Sequence, residues 1–169
     1  IDGVRLMLHG MGTEKAIVAI EDNKAEAFAA MYAAALPFAN VEVIQMPTRY
    51  PMGWDRQLIA YVTGKEIPVG ARSSELGVTI HNVGTAYAVH RAIRFNQPLV
   101  SRIVTVSGGA VAKPMNVEVP LGTLINELFE FCQVDTKQIS RIIMGGPMMG
   151  EAMPHGALPV VKGTSGVLA

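Results

Sequence analysis

The chain has 169 residues with 14 Lys+Arg against 14 Asp+Glu, so it carries no formal net charge when His is neutral. Half of it is hydrophobic and 17% is charged, which describes a packed chain of one domain or two small ones rather than a disordered one. The balanced charge excludes nucleic acid as an evident partner, and no apolar run approaches the roughly 18 residues that span a bilayer. A lone cysteine, Cys132, excludes an internal disulfide framework and a cysteine-only metal site.

In chain order, the first residue, Ile1, stands within an apolar periodic pattern (Val4, Leu6, Met7, Leu8), and Val167-Leu168-Ala169 closes the sequence. Both ends read as cuts through a longer protein. Val4 to His9 reads as the end of a helix closed by Gly10 and Gly12. Lys15 to Ile20 is a short β-branched run, a buried strand, and Asp22 or Asn23 can cap the helix that follows. That helix runs from Lys24 to Leu36 and stops at Pro37, and Val41 to Met46 is a second strand. Strand, helix and strand of these lengths make one parallel crossover unit.

The loop Pro47 to Trp54 leads into a helix over Asp55 to Thr63. Val78 to His81 reads as another strand, and Asn82 caps a helix reaching about Asn96, with Ala86, Val89 and Ile93 on one face. After Pro98 the pattern changes. Arg102 to Val106 and Met115 to Val119 alternate as a hairpin with a long loop, followed by a helix over Leu124 to Cys132 with Leu124, Leu128 and Phe131 inward. Arg141 to Met144 is a last strand before the turn Gly145 to Gly150. Strand, strand, helix, strand fits a small β-grasp module, so the expected division is 1–98 and 99–169.

Chemistry is sparse. His9, His81, His90 and His155 have no second ligand at metal spacing, and no metal site is expected. No serine lies in a Gly-x-Ser-x-Gly context, Cys132 reads as a small core residue, and no catalytic residue is assigned. The turn at Gly145 lacks the Lys-Ser/Thr pair of a phosphate loop. In open α/β sheets ligands sit beyond the carboxyl ends of the strands, which singles out the loop from Arg49 to Arg56. It gathers Tyr50, Trp54, Asp55 and Arg56 around Gly53, where a flat ligand can approach the backbone. Asn82 and Thr85 open another helix in the same half and offer an amide and a hydroxyl.

Three segments, Pro47-Thr-Arg-Tyr-Pro-Met-Gly-Trp-Asp-Arg-Gln-Leu58, Asn82-Val-Gly-Thr-Ala-Tyr-Ala88 and Ile143-Met-Gly-Gly-Pro-Met-Met-Gly150, resemble the C subunit of the Rnf (or Rsx) electron-transport complex. The first half more distantly resembles the flavin-bearing NADH-binding subunit of respiratory complex I, and the second is similar to that family's soluble-ligand-binding β-grasp domain. The resemblance implies an α/β fold: a Rossmann-like FMN/NADH-binding unit over 1–98, then the β-grasp module and the start of a linker over 99–169. It implies a peripheral subunit on the cytoplasmic face of the bacterial inner membrane, without a span of its own, among other subunits of the complex. It further implies that electrons pass from NADH through FMN to two 4Fe-4S clusters, coupling NADH/ferredoxin electron transfer to ion movement.

Carried over residue by residue, Gly53 and Asp55, with Tyr50 nearby, match the segment lining the flavin and nicotinamide pocket, and Asn82 and Thr85 match the pair that meets the flavin at a helix start. The family has a small residue and Glu where Trp54 and Asp55 stand here. Its glycine-rich FMN loop is expected before Ile1 and its cluster-binding cysteines beyond Ala169, so the piece itself is expected to be inactive. A competing reading is a non-redox ligand-binding or partner-docking module.

Overall fold

The computed structural model describes residues 1–169, which form two compact units, Ile1–Asn96 and Gln97–Ala169. In the first, helix α1 (Asp2–Met11) ends where Gly12 takes a left-handed conformation. Strand β1 (Ala16–Glu21), helix α2 (Ala25–Ala35) and strand β2 (Val41–Met46) follow, and β1 pairs β2 in parallel from Ala16↔Val41 to Glu21↔Met46. Helices α3 (Asp55–Thr63) and α4 (Val83–Phe95) complete the unit, separated by a single 3-10 turn at Ser73–Leu76. Leu8, Val18, Ala35 and Val41 form its central apolar cluster.

Helix α1 crosses α4 closely enough that a Cβ on Gly3 would fall within the backbone carbonyl of Ala86. Beside that crossing Asp2 accepts from Arg94 through both carboxylate oxygens (2.9 and 3.0 Å) and lies 2.8 Å from His90 Nδ1. Hydrogen bonding from Arg94, then from His90, holds the Asp2 carboxyl well below the usual carboxylate range. A small residue at the crossing and a charge cluster at its rim together fix the helix pair.

Two expectations for this unit need correction. Val78 to His81 alternates in burial but joins no ladder, so it is not a strand. It runs past the end of α1, where Thr79 Oγ1 meets Met11 Sδ at 3.7 Å. On α4, Ala86 and Val89 are half-buried as expected, whereas Ile93 is exposed.

The second unit is a five-stranded sheet in the order β4-β3-β7-β5-β6. Strands β3 (Ser101–Ser107) and β4 (Met115–Pro120) are the expected antiparallel hairpin. Helix α5 (Ile125–Phe131) is followed by the short strands β5 (Ile142–Met144), β6 (Glu151–Met153) and β7 (Gly166–Leu168). Strands β6 and β7 add to the expected order. The inward face of α5 is Ile125, Leu128, Phe129 and Cys132, all buried, whereas Leu124 and Phe131 are exposed. Both stripes satisfy a 3.6-residue period, and Leu124, the residue before the first helical turn, points elsewhere because its backbone is extended. Val104, Val106, Val119 and Val167 of the sheet, with Val160 from the segment between β6 and β7, complete the same core. Burial alone pushes the Cys132 thiol pKa up, which leaves it a packing residue rather than a nucleophile.

Candidate functional site

The carboxyl ends of β1 and β2 lie side by side, since Glu21 is in register with Met46. The loop from Pro47 to Trp54 leaves this edge and is strongly shaped. Met52 N donates to Arg49 O (2.7 Å) and Trp54 N to Pro51 O (2.8 Å), the Tyr50–Pro51 peptide is cis, and Met52 is buried. With the methionine turned inward, Tyr50 and Trp54 are left more than half exposed. A Cβ on Gly53 would meet nothing within 4 Å, so its backbone is open to an approaching group.

Asp55 is the first residue of α3 and uses its carboxylate on the neighbouring Arg56 amide (2.8 Å). Arg56 is engaged within the fold. Its guanidinium donates to the carbonyls of Ile67 (2.8 Å), Pro68 (3.2 Å) and Ala71 (3.1 Å) and so ties α3 to the following loop. The sequence puts Arg56 among the polar groups around Gly53, and only the long-range carbonyl contacts reveal its architectural task.

Asn82 caps α4, its Oδ1 accepting from Gly84 N (2.8 Å), while the Asn82 carbonyl takes the Thr85 amide (2.9 Å). Thr85 lies exposed in the first turn of that helix. The structure thus groups Tyr50, Gly53 and Asp55 on one loop and helix start, and Asn82 with Thr85 on another. The two groups belong to elements with different packing partners, α3 against the 3-10 turn and α4 against α1.

A flavin mononucleotide needs a grip for its phosphate and flat, open surface for its ring. The amides at the start of α4 are already answered by Asn82, and the Asp55 carboxylate opens α3, so neither helix start is built for the phosphate. Open backbone at Gly53, exposed aromatic rings and the amide and hydroxyl at α4 suit the ring portion instead.

Capping gives Asn82 a measurable structural share. Asn82→Ala is expected to cost the first unit about 1 kcal/mol in urea denaturation, and Asn82→Asp to stay near wild type because the cap oxygen remains.

A parallel β–α–β unit with an elaborated loop at its carboxyl edge, followed by a β-grasp module, defines a two-module α/β protein, and in open α/β sheets that edge is where ligands bind. The Nuo51 FMN-binding domain family matches residues 1–91 and the SLBB domain matches residues 103–152. The chain belongs to the Nuo51 FMN-binding domain family and carries an SLBB domain behind it.

It is 42% identical over 170 residues to the C subunit of the ion-translocating oxidoreductase complex of Rhodobacter capsulatus, covering 99% of this chain and 33% of that protein. The Pseudomonas aeruginosa protein of the same name is 41% identical over 169 residues, covering 100% of this chain and 22% of that one. The C subunit of the proton-translocating ferredoxin:NAD(+) oxidoreductase complex of Clostridium ljungdahlii is 39% identical over 168 residues, 99% of this chain and 36% of its own length. The chain therefore spans roughly a third or less of these curated relatives. No helix is long and apolar enough to cross a membrane.

Proposed function

We infer that the chain is a segment of the C subunit of an ion-translocating oxidoreductase complex of the Rnf type, and that its first unit forms the ring-facing side of an FMN site. The observation carrying this is the similarity to those proteins, near 40% identity and unbroken across both modules in the same order. On this reading FMN, when bound, would supply the redox chemistry that links NADH to two 4Fe-4S clusters and the ferredoxin side of the complex. Tyr50 and Gly53 would hold the flavin or nicotinamide ring, Asp55 would border the same surface, and Asn82 with Thr85 would offer polar contacts to the flavin. The clusters take thiolates from outside these 169 residues, which contain one cysteine. The protein works at the cytoplasmic face of the inner membrane, held there by other subunits of the complex.

Gly53 provides the test, because the fold does not need a glycine there. A methyl group added at Gly53 enters open space, so Gly53→Ala is expected to leave the melting temperature unchanged. In the whole protein the same methyl group is expected to weaken FMN or NADH binding about tenfold, the roughly 1.4 kcal/mol of one overpacked contact. Wild-type affinity for both in the variant would remove the loop from the pocket and leave a docking module as the better reading.

A further inference from the structure

One tie on the candidate loop comes from outside it. Where the backbone ladder between β1 and β2 ends, one further rung forms, Asp22 N donating to Met46 O (2.8 Å). Beyond that rung side chains take over. Asp22 Oδ1 accepts from both the amide (3.0 Å) and the hydroxyl (2.6 Å) of Thr48, and Thr48 Oγ1 in turn accepts from the Asn23 amide (3.4 Å). The threonine hydroxyl thus donates in one direction and accepts from the other, and both strand exits are locked together at the edge where an α/β sheet receives ligands.

By its place in the sequence this carboxylate is a candidate cap for α2. Helix α2 instead has Lys24 at its N-cap with no side-chain hydrogen bond, so Asp22 is committed to the neighbouring strand exit. Those bonds, the Thr48 hydroxyl first, hold its carboxyl below the usual range, so the accepting anion persists at neutral pH. Thr48 is two residues from Tyr50 and five from Gly53. Buried Met52 pins the middle of the loop, and Arg56 anchors the helix after it. The Asp22–Thr48 clasp pins its root.

We propose that Asp22 is a positioning residue of the ligand crevice: clasping Thr48, it sets the root of the loop so that Tyr50 and Gly53 meet a bound flavin or nicotinamide ring. The proposal rests on the reading of this loop as part of the FMN site. Asp22 touches no ligand itself. It acts by limiting how far the loop strays before binding, where a displacement of about 1 Å can cost up to a hundredfold.

The test compares Asp22→Ala, Asp22→Asn and Gly53→Ala. In the 169-residue chain, amide exchange at Thr48 and acrylamide quenching of Trp54, the single tryptophan, report the loop itself. Asp22→Ala is expected to speed exchange at Thr48 and raise quenching, while Asp22→Asn, which keeps a carbonyl oxygen for both Thr48 donors, stays near wild type. In the whole protein stripped of its flavin, FMN titration is expected to show a tenfold or greater loss for Asp22→Ala and recovery to within about twofold for Asp22→Asn.

A purely structural role would lower the melting temperature of Asp22→Ala without this split between the two variants. An unprotected Thr48 amide in the wild-type chain overturns the clasp outright. Loss of FMN affinity in Gly53→Ala but not in Asp22→Ala overturns the positioning role while sparing the loop as a ligand surface. A loosened loop in Asp22→Ala with unchanged affinity in all three variants overturns the ligand reading, and the positioning role with it.

Discussion

Gly3→Ala is expected to destabilise the first unit by about 3 kcal/mol, the reverse of what the exchange usually does in a helix. Alanine at a helical position ordinarily stabilises, because it loses less backbone freedom on folding than glycine does. Here the new methyl group would occupy the space of the Ala86 carbonyl, and a backbone atom inside a helix cannot swing aside. Helix α1 would have to lift from α4, which also pulls Asp2 from Arg94 and His90. Gly10→Ala in the same helix is the control, since its methyl group meets nothing within 4 Å, and it is expected to stabilise by about 0.5–1 kcal/mol. Urea denaturation followed by Trp54 fluorescence reads both. Equal effects of the two substitutions would mean the helices are not in close contact.

Phe129→Ala is expected to cost the second unit about 4 kcal/mol. Phe129 is 2% exposed and packs with Ile125, Leu128 and Cys132 against the valines of the sheet, so truncation leaves a cavity that the surrounding strands cannot fill. Phe131, two positions on, is 64% exposed, and Phe131→Ala is expected to change stability by less than about 1 kcal/mol. The buried Cys132 thiol supplies the readout, as it reacts with a thiol reagent only when this unit opens. Faster labelling in Phe131→Ala than in Phe129→Ala would put the other stripe of α5 inside.

Local signals in the sequence carry most of the element order. The β-branched run before Glu21, Pro37 after an alanine-rich stretch and Asn82 before Val83 each act within a few residues, and β1, α2 and α4 begin or end at those points. Errors fall where the outcome depends on a distant partner. Val78 to His81 has the alternation of a strand and no neighbour to pair with. The three-residue strands β6 and β7 are too short to show a period, and they exist because β5 and β3 accept them. Asp22 has the chemistry of a helix cap, yet a threonine 26 residues away takes it. The loop holding Tyr50, Gly53 and Asp55 is legible from its place after a strand. That Met52 turns inward and leaves the aromatic rings outside is not, because burial of one residue in a loop follows from the packing around it.

Strand β7 is the last strand in sequence and the middle one in space. It joins β3 in parallel and β5 in antiparallel fashion, so the β4–β3 hairpin and the β5–β6 pair communicate through Gly166–Leu168 alone. During synthesis the hairpin and α5 emerge first and can form from near neighbours, on a timescale of microseconds. The sheet closes only after about sixty further residues of polypeptide have followed β3, and such long-range pairing is the slow kind. Until then two open strand edges face one another with no third strand between them, and that interval is when this module is most exposed to mispairing with other nascent chains.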